Sequence, residues 1–284
     1  IYVGFGEVTL NNVTATNNEA KLSEYTPENS ETTYKYSFGG VVDAYNATVN
    51  IIGGTYTGNS AGAGGVVYAN KSAVNLSGAT FENNTVNLEG ASTKKGGAIM
   101  LYGAAASVVD NCIFKTNTAA TGGAMYVDYG ATVTVTGGSF QGNQALAGDG
   151  GAILLADSTS SGKAATTLNI TNASFTSNSA SSKGGAISTD ASSPNLVLKA
   201  TGCTFSQNTS GAGGGAVEVV VSGTKELVKV KLQEDVVDPD DIEMLEDLIV
   251  AAVNEALKQV DAASASAMSK LTGGFGGGMP GMPF

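Results

Sequence analysis

The 284-residue chain has no tryptophan, no histidine and no arginine; all 14 of its basic residues are lysine. Without histidine there is no Ser/His/Asp set, and zinc-type ligand spacing, a Walker loop and a dinucleotide fingerprint are absent as well. Charged residues make up only 14% of the chain, and the net charge of −11 argues against electrostatic binding of nucleic acid by the chain as a whole. No apolar run approaches the roughly 20 residues of a membrane span. The chain opens at Ile1 in a strand-like pattern, without Met, a charged leader or an apolar leader core, and reads as a piece of a longer or processed protein.

What is abundant is glycine, 39 residues of it, and it is ordered. Pairs fall at Gly39-Gly40, Gly64-Gly65, Gly96-Gly97, Gly122-Gly123, Gly150-Gly151, Gly184-Gly185 and Gly214-Gly215, successively 25, 32, 26, 28, 34 and 30 residues apart. Ahead of the later six stands an aromatic followed three positions on by asparagine: Tyr56/Asn59, Phe81/Asn84, Phe114/Asn117, Phe140/Asn143, Phe175/Asn178 and Phe205/Asn208. Such periods mark repeat architectures. Alternating segments such as Ala131 to Thr136 and Thr167 to Thr171 read as strands, and no helical period runs between the pairs. Stacked strand-turn-strand units give a mainly β fold, a parallel β-helix over residues 1–210.

Stacking places equivalent residues directly above one another, about 4.8 Å apart. Two positions before each aromatic lie Gly54, Ala79, Cys112, Gly138, Ala173 and Cys203, all small, as a tight interior beside a column of rings requires. The Asn column is expected to be a hydrogen-bonded ladder, and the glycine pairs are expected to need positive φ or close backbone approach. Cys112 and Cys203, in one column three coils apart, would lie about 14 Å from each other, beyond the Cα limit of a disulfide near 7 Å. They are expected to be free, buried fillers.

From about Val217 the composition changes. Two charged strands, 217–221 and 227–232, precede an acidic helix with Asp238 as N-cap, Pro239 at its first position and acidic residues in its first turn. Ile242, Leu245, Ile249, Ala252, Val253, Ala256 and Val260 recur at helical spacing, predicting one long amphipathic helix in a small α/β segment, 211–272. Residues 273–284, rich in Gly, Met and Pro, are expected to be disordered.

The Phe-x-x-Asn and Gly-Gly-Ala-Ile repeat, from about residue 10 to 216, resembles the polymorphic outer-membrane protein repeat of bacterial surface proteins. That resemblance implies a right-handed, pectin-lyase-like β-helix in a secreted or surface passenger of adhesin type. Residues 213–284 resemble a second family, the YbaB/EbfC nucleoid-associated proteins, through Gly213-Gly214-Gly215, Val236 to Asp241, Glu243 to Ile249, Ala251 to Ala256, Met268 and Lys270 to Gly274. This likeness implies a small dimeric DNA-binding protein of the cytoplasm, lacking here the family's first helix. The chain thus reads as a chimera joined at a shared glycine-rich word.

Asp128, Asp157 and Asp190 follow their glycine pairs by five, six and five residues and are expected to stack in successive coils. Three readings stand: an Asp capping its own turn, a Ca²⁺ site of oxygen ligands, or the acid and nucleophile of a polysaccharide-acting enzyme. Asp235, Asp238, Asp240 and Asp241 read as helix capping rather than a calcium loop, which needs a central Gly. Lys225, Lys229 and Lys231 are the candidate DNA contacts. Residues 211–284 nevertheless carry 12 acidic groups against 5 lysines, net −7, so charge disfavours DNA.

The functional expectation is therefore a non-enzymatic cell-surface or extracellular scaffold without a cofactor, with Ca²⁺ the one candidate ion. A host or cell-surface ligand would be met by the inserts 85–95, 144–149, 157–166 and 190–195. The appended segment would act as a cap or as a homodimer contact through 217–260. The alternative is a nucleoid-associated DNA-binding protein acting through 211–284 in the cytoplasm.

Overall fold

The computed structural model describes residues 1–26, 33–86, 89–158, 164–190, 195–211, 217–222 and 224–232, and within 249–260 residues 249–250, 252–254, 256–257 and 260. The chain divides into two compact units, Ile1–Gly214 and Gly215–Phe284.

The first unit is a parallel β-helix. Three seven-stranded parallel sheets and one four-stranded parallel sheet run along it, each coil contributing one strand to each long sheet. The first sheet starts at Tyr2–Gly4 and ends at Ile187–Thr189, the second runs from Glu7–Asn11 to Leu196–Thr201, and the third from Thr14–Thr16 to Thr204–Ser206. Alternation sets the faces. In Thr132–Thr136, Val133 and Val135 are buried while Thr132 and Thr136 are exposed, and Thr48–Ile52, Ala73–Ser77 and Thr166–Thr171 repeat the alternation, whereas the last strand, Leu196–Thr201, is largely exposed.

The third sheet carries the aromatic column. Tyr56, Phe81, Phe114, Phe140, Phe175 and Phe205 are in register from coil to coil, with Ala15 holding the place in the first coil. Their rings stack at 4.7–5.2 Å between centroids. The column is buried from Tyr56 to Phe175, whereas Phe205 in the last coil is 44% exposed.

The asparagine ladder closes the turn that follows. Each side-chain oxygen accepts both the backbone N–H and the amide Nδ2 of the asparagine one coil earlier; Asn117 Oδ1 takes them from Asn84 at 3.0 and 2.9 Å. From Asn84 onward each Nδ2 also donates to the carbonyl of the ring residue one coil back, as from Asn117 to Phe81 at 2.9 Å, and Asn59 donates to Ala15 in the same place. The ladder starts one coil earlier than the motif suggested, at Asn18, whose N–H and Nδ2 both donate to Asn59 Oδ1. Asn59, Asn84, Asn117, Asn143 and Asn178 are completely buried, so their amides replace the water that the bend would otherwise need.

The glycine pairs divide the two roles expected of them. The first member has φ between +54° and +70° from Gly39 to Gly184. The second packs backbone on backbone: a Cβ at Gly123 would lie 2.2 Å from the Gly151 carbonyl oxygen, and a Cβ at Gly97 would lie 2.0 Å from that of Gly123. A further left-handed column stands just before the ladder, at Asn17, Gly58, Asn83, Thr116, Gly142, Ser177 and Gln207, with φ of 50–66°.

Two buried details carry predictions. Tyr56 brings a hydroxyl into a column of phenylalanines, where it has no hydrogen-bond partner among the described residues, and burial pushes its phenol up to about 12. Tyr56→Phe should raise stability by about 1 kcal/mol in urea unfolding, because an unsatisfied buried hydroxyl is removed with little change of shape. Cys112 and Cys203 are both free; Cys112 is buried and Cys203 half-buried. Burial pushes the Cys112 thiol up to about 11, so a thiol reagent at pH 8 should label Cys203 and reach Cys112 only after denaturation.

In the second unit, Val217–Val221 pairs antiparallel with Leu227–Leu232, the two strands expected from the sequence. Residues 249–250, 252–254, 256–257 and 260 are helical. Asp238 and its neighbours Asp235, Asp240 and Asp241 lie outside the described residues, as does the tail 273–284.

Candidate functional site

The outer face of the first sheet gathers most of the chemistry the solenoid displays. Its strands carry outward residues in two columns, Asp43, Tyr68, Met100, Tyr126 and Leu154 in one, and Tyr45, Asn70, Tyr102 and Asp128 in the other. Met100, Tyr126, Leu154 and Ala156 form a second apolar cluster outside the sheet, with Phe38, Tyr68 and Tyr102 packed against it. Rings continue this surface: Phe38 stacks on Tyr68 at 4.3 Å and Tyr102 on Tyr129 at 4.7 Å.

The three aspartates do not form the expected stack. Val127, Leu155 and Thr189 are level with one another, so the residues level with Asp128 are Ala156 and Asp190. Asp157 falls one residue further on, and a one-residue slip turns a side chain to the other face. Asp128 and Asp190 are thus two coils apart, about 10 Å along the axis, with an alanine between them. Among the described residues no group of three His, Cys, Asp or Glu is placed to hold a metal.

Asp128 instead ties down an insert. Its Oδ1 accepts the backbone N–H groups of Tyr129 at 2.6 Å and Ser158 at 2.7 Å, and its Oδ2 accepts the Ser158 hydroxyl at 2.7 Å and the Tyr126 hydroxyl at 3.2 Å. Lys95 donates to the Tyr126 hydroxyl at 2.7 Å, its ammonium lying 4.3 Å from the centre of that ring. Burial, with Asp128 adding to it, drives the Tyr126 phenol far above its ordinary range, so this tyrosine stays neutral and acts as a bridge. The carboxylate is saturated by four donors, the arrangement of a turn cap rather than an open ligand or a catalytic acid. Sequence reasoning missed Ser158, which reaches Asp128 from the next coil, and Lys95, which reaches Tyr126 from the coil before; Tyr126 lies two residues from Asp128 on the same strand.

The inserts expected to meet a partner are described only in part. Residues 144–149 are described throughout, whereas 87–88, 159–163 and 191–194 lie outside the described residues. Of the candidate DNA contacts, Lys225 is exposed in the turn between the two strands of the second unit. Lys229 is opposite Val220 and Lys231 opposite Glu218 in the antiparallel register. No helix among the described residues is long and apolar enough to cross a membrane.

Two family models match, one to part of the solenoid and one to the segment that follows it. Residues 78–101, 137–156 and 172–190 fit the Chlamydia polymorphic membrane protein repeat. Residues 206–275 fit the YbaB/EbfC DNA-binding family. A nucleoid-associated protein of Agathobacter rectalis is 72% identical over 62 residues, 22% of this chain and 55% of that protein. Those of Lachnoclostridium phytofermentans and Ruminiclostridium cellulolyticum are 66% and 56% identical over 66 and 64 residues, again 22% of this chain and 56% and 55% of theirs. The chain spans about half the length of the curated relatives it matches. No solved structure matches.

Proposed function

We propose that the chain is a non-enzymatic surface or secreted β-helix scaffold of adhesin type, with the YbaB-like segment serving as a cap or dimer contact. The observation that supports this reading is the division of labour within each coil. The glycine-pair, ring and asparagine columns repeat the same task in coil after coil, while most outward positions and the inserts differ from coil to coil. A rigid core with a variable exterior is the design of a display surface. The saturated Asp128 carboxylate fits a scaffold better than a hydrolase. Protease treatment of intact cells producing the protein tests its location. Digestion of the solenoid before lysis is expected; complete protection until lysis sinks the reading.

A second reading rests on the 72% identity to a nucleoid-associated protein. The second unit would then bind DNA through Lys225, Lys229 and Lys231. With net −7 over residues 211–284, few phosphates can be neutralised, and binding should fade steeply with salt. In gel retardation of random duplex DNA by the whole chain, we expect at most a weak shift at about 50 mM salt, gone by about 200 mM. A shift that persists at physiological salt would favour the nucleoid reading over the surface one.

A further inference from the structure

The outer face of the second sheet carries a depression that spans three successive coils. Three successive coils place Asn50 and Ile52, Asn75 and Ser77, and Val108 and Asp110 in register, all on the side opposite the buried Ile51, Leu76 and Val109. The dip centres on Ser77, a short side chain between Ile52 and Asp110 in the coils on either side, while Asn75 stands level with Asn50 and Val108. The result is a cavity of 260 Å³ with these six residues around it. That is just under the roughly 300–1,000 Å³ of sites for drug-sized ligands, room for a single small ring.

The lining is of two kinds. Ile52 and Val108 are 47% and 43% exposed, aliphatic walls on opposite sides of the dip. The polar groups are mainly acceptors. Asn75 Nδ2 donates to Asn50 Oδ1 at 2.9 Å, and Asn50 Nδ2 donates to Glu7 at 2.6 Å and Thr9 at 3.3 Å. The amide donors are therefore already directed along the sheet toward the first coil. Asp110 Oδ1 accepts from Asn111 Nδ2 at 3.0 Å. Asn75 Oδ1, Asp110 Oδ2 and the Ser77 hydroxyl remain to meet a ligand in the dip, and Asp110 makes the site repel anions.

An occupant must be small and rich in hydroxyl donors, apolar on its sides and not negatively charged. We infer that this depression binds one neutral pyranose unit of a glycan, its hydroxyls donating to Asn75 Oδ1 and Asp110 and its C–H edges lying against Ile52 and Val108. The inference goes beyond display by the inserts, because the site lies on the regular face of the coils, and it holds wherever the protein resides.

The test is an amide-resolved NMR titration of the full ¹⁵N-labelled chain with methyl β-glucopyranoside, methyl β-galactopyranoside and N-acetylglucosamine. Butylammonium chloride is run in parallel as a cation without hydroxyls. At least one sugar is expected to shift the amides of residues 75–78 and 108–111 with a dissociation constant on the order of 1 mM. Ser77→Leu, which fills the dip from an exposed position, should weaken binding at least tenfold while leaving the melting temperature unchanged. Should that variant fold poorly, Asp110→Asn and Val108→Thr provide the same readout, each with an expected loss of several-fold. Shifts spread over the whole face, shifts equal in Ser77→Leu and wild type, or a stronger response to butylammonium than to every sugar each overturn the inference.

Discussion

Asn117→Ala is expected to lower the stability of the solenoid by about 4 kcal/mol. The replaced side chain makes four hydrogen bonds, all between buried groups. Its loss strands the Asn84 backbone N–H, one N–H of the Asn84 amide and the Phe81 carbonyl in a place water cannot reach, and each such orphan costs about 1–3 kcal/mol. Asn208 supplies the internal comparison. It makes the same kinds of bond to Asn178 and Phe175 but is only half-buried in the last coil, so Asn208→Ala should cost less than half as much. Urea unfolding followed by circular dichroism measures both. Equal and small losses would show that the ladder is an ornament of the turn and not its support.

The second large effect is expected at Gly123. A methyl group there would stand 2.2 Å from the Gly151 carbonyl oxygen and 2.5 Å from the Gln144 backbone nitrogen, and neither atom can move without separating two coils. Gly123→Ala should therefore cost on the order of 3 kcal/mol or more, at the upper end of overpacking. Gly78 separates this steric effect from a conformational one. It has φ of +62° and nothing within 4 Å of where its Cβ would be, so Gly78→Ala should cost only the left-handed backbone, about 1–2 kcal/mol. If the two variants melt together, close approach between coils is not what the second glycine of each pair is for.

The fold was readable because each coil repeats its requirements. Six aromatic-x-x-Asn words and the glycine pairs identify the columns without knowledge of which strand pairs with which, and the register then follows them. The strands at 217–221 and 227–232 were readable for a local reason, their own alternation. The aspartate stack failed on a single residue: spacings of five, six and five from the glycine pairs already contain the slip that puts Ala156 level with Asp128. The left-handed column before the ladder was hidden because Gly58 and Gly142 share it with Asn83, Thr116, Ser177 and Gln207, which have no common composition. The Ser158 contact to Asp128 and the Lys95 contact to Tyr126 each join separate coils, and no short word in the chain encodes them.

The ladder at Asn59 to Asn208 joins each coil only to the one before and the one after, and always by the same bonds. Nothing in that arrangement counts. A coil removed whole, from one asparagine to the next, leaves an asparagine facing an asparagine and a ring facing a ring, and the seam would resemble every other junction. As far as the ladder is concerned, the number of coils can therefore grow or shrink, while each outward residue is carried along at a fixed height. The molecule behaves as a ruler whose graduations are fixed and whose length is free.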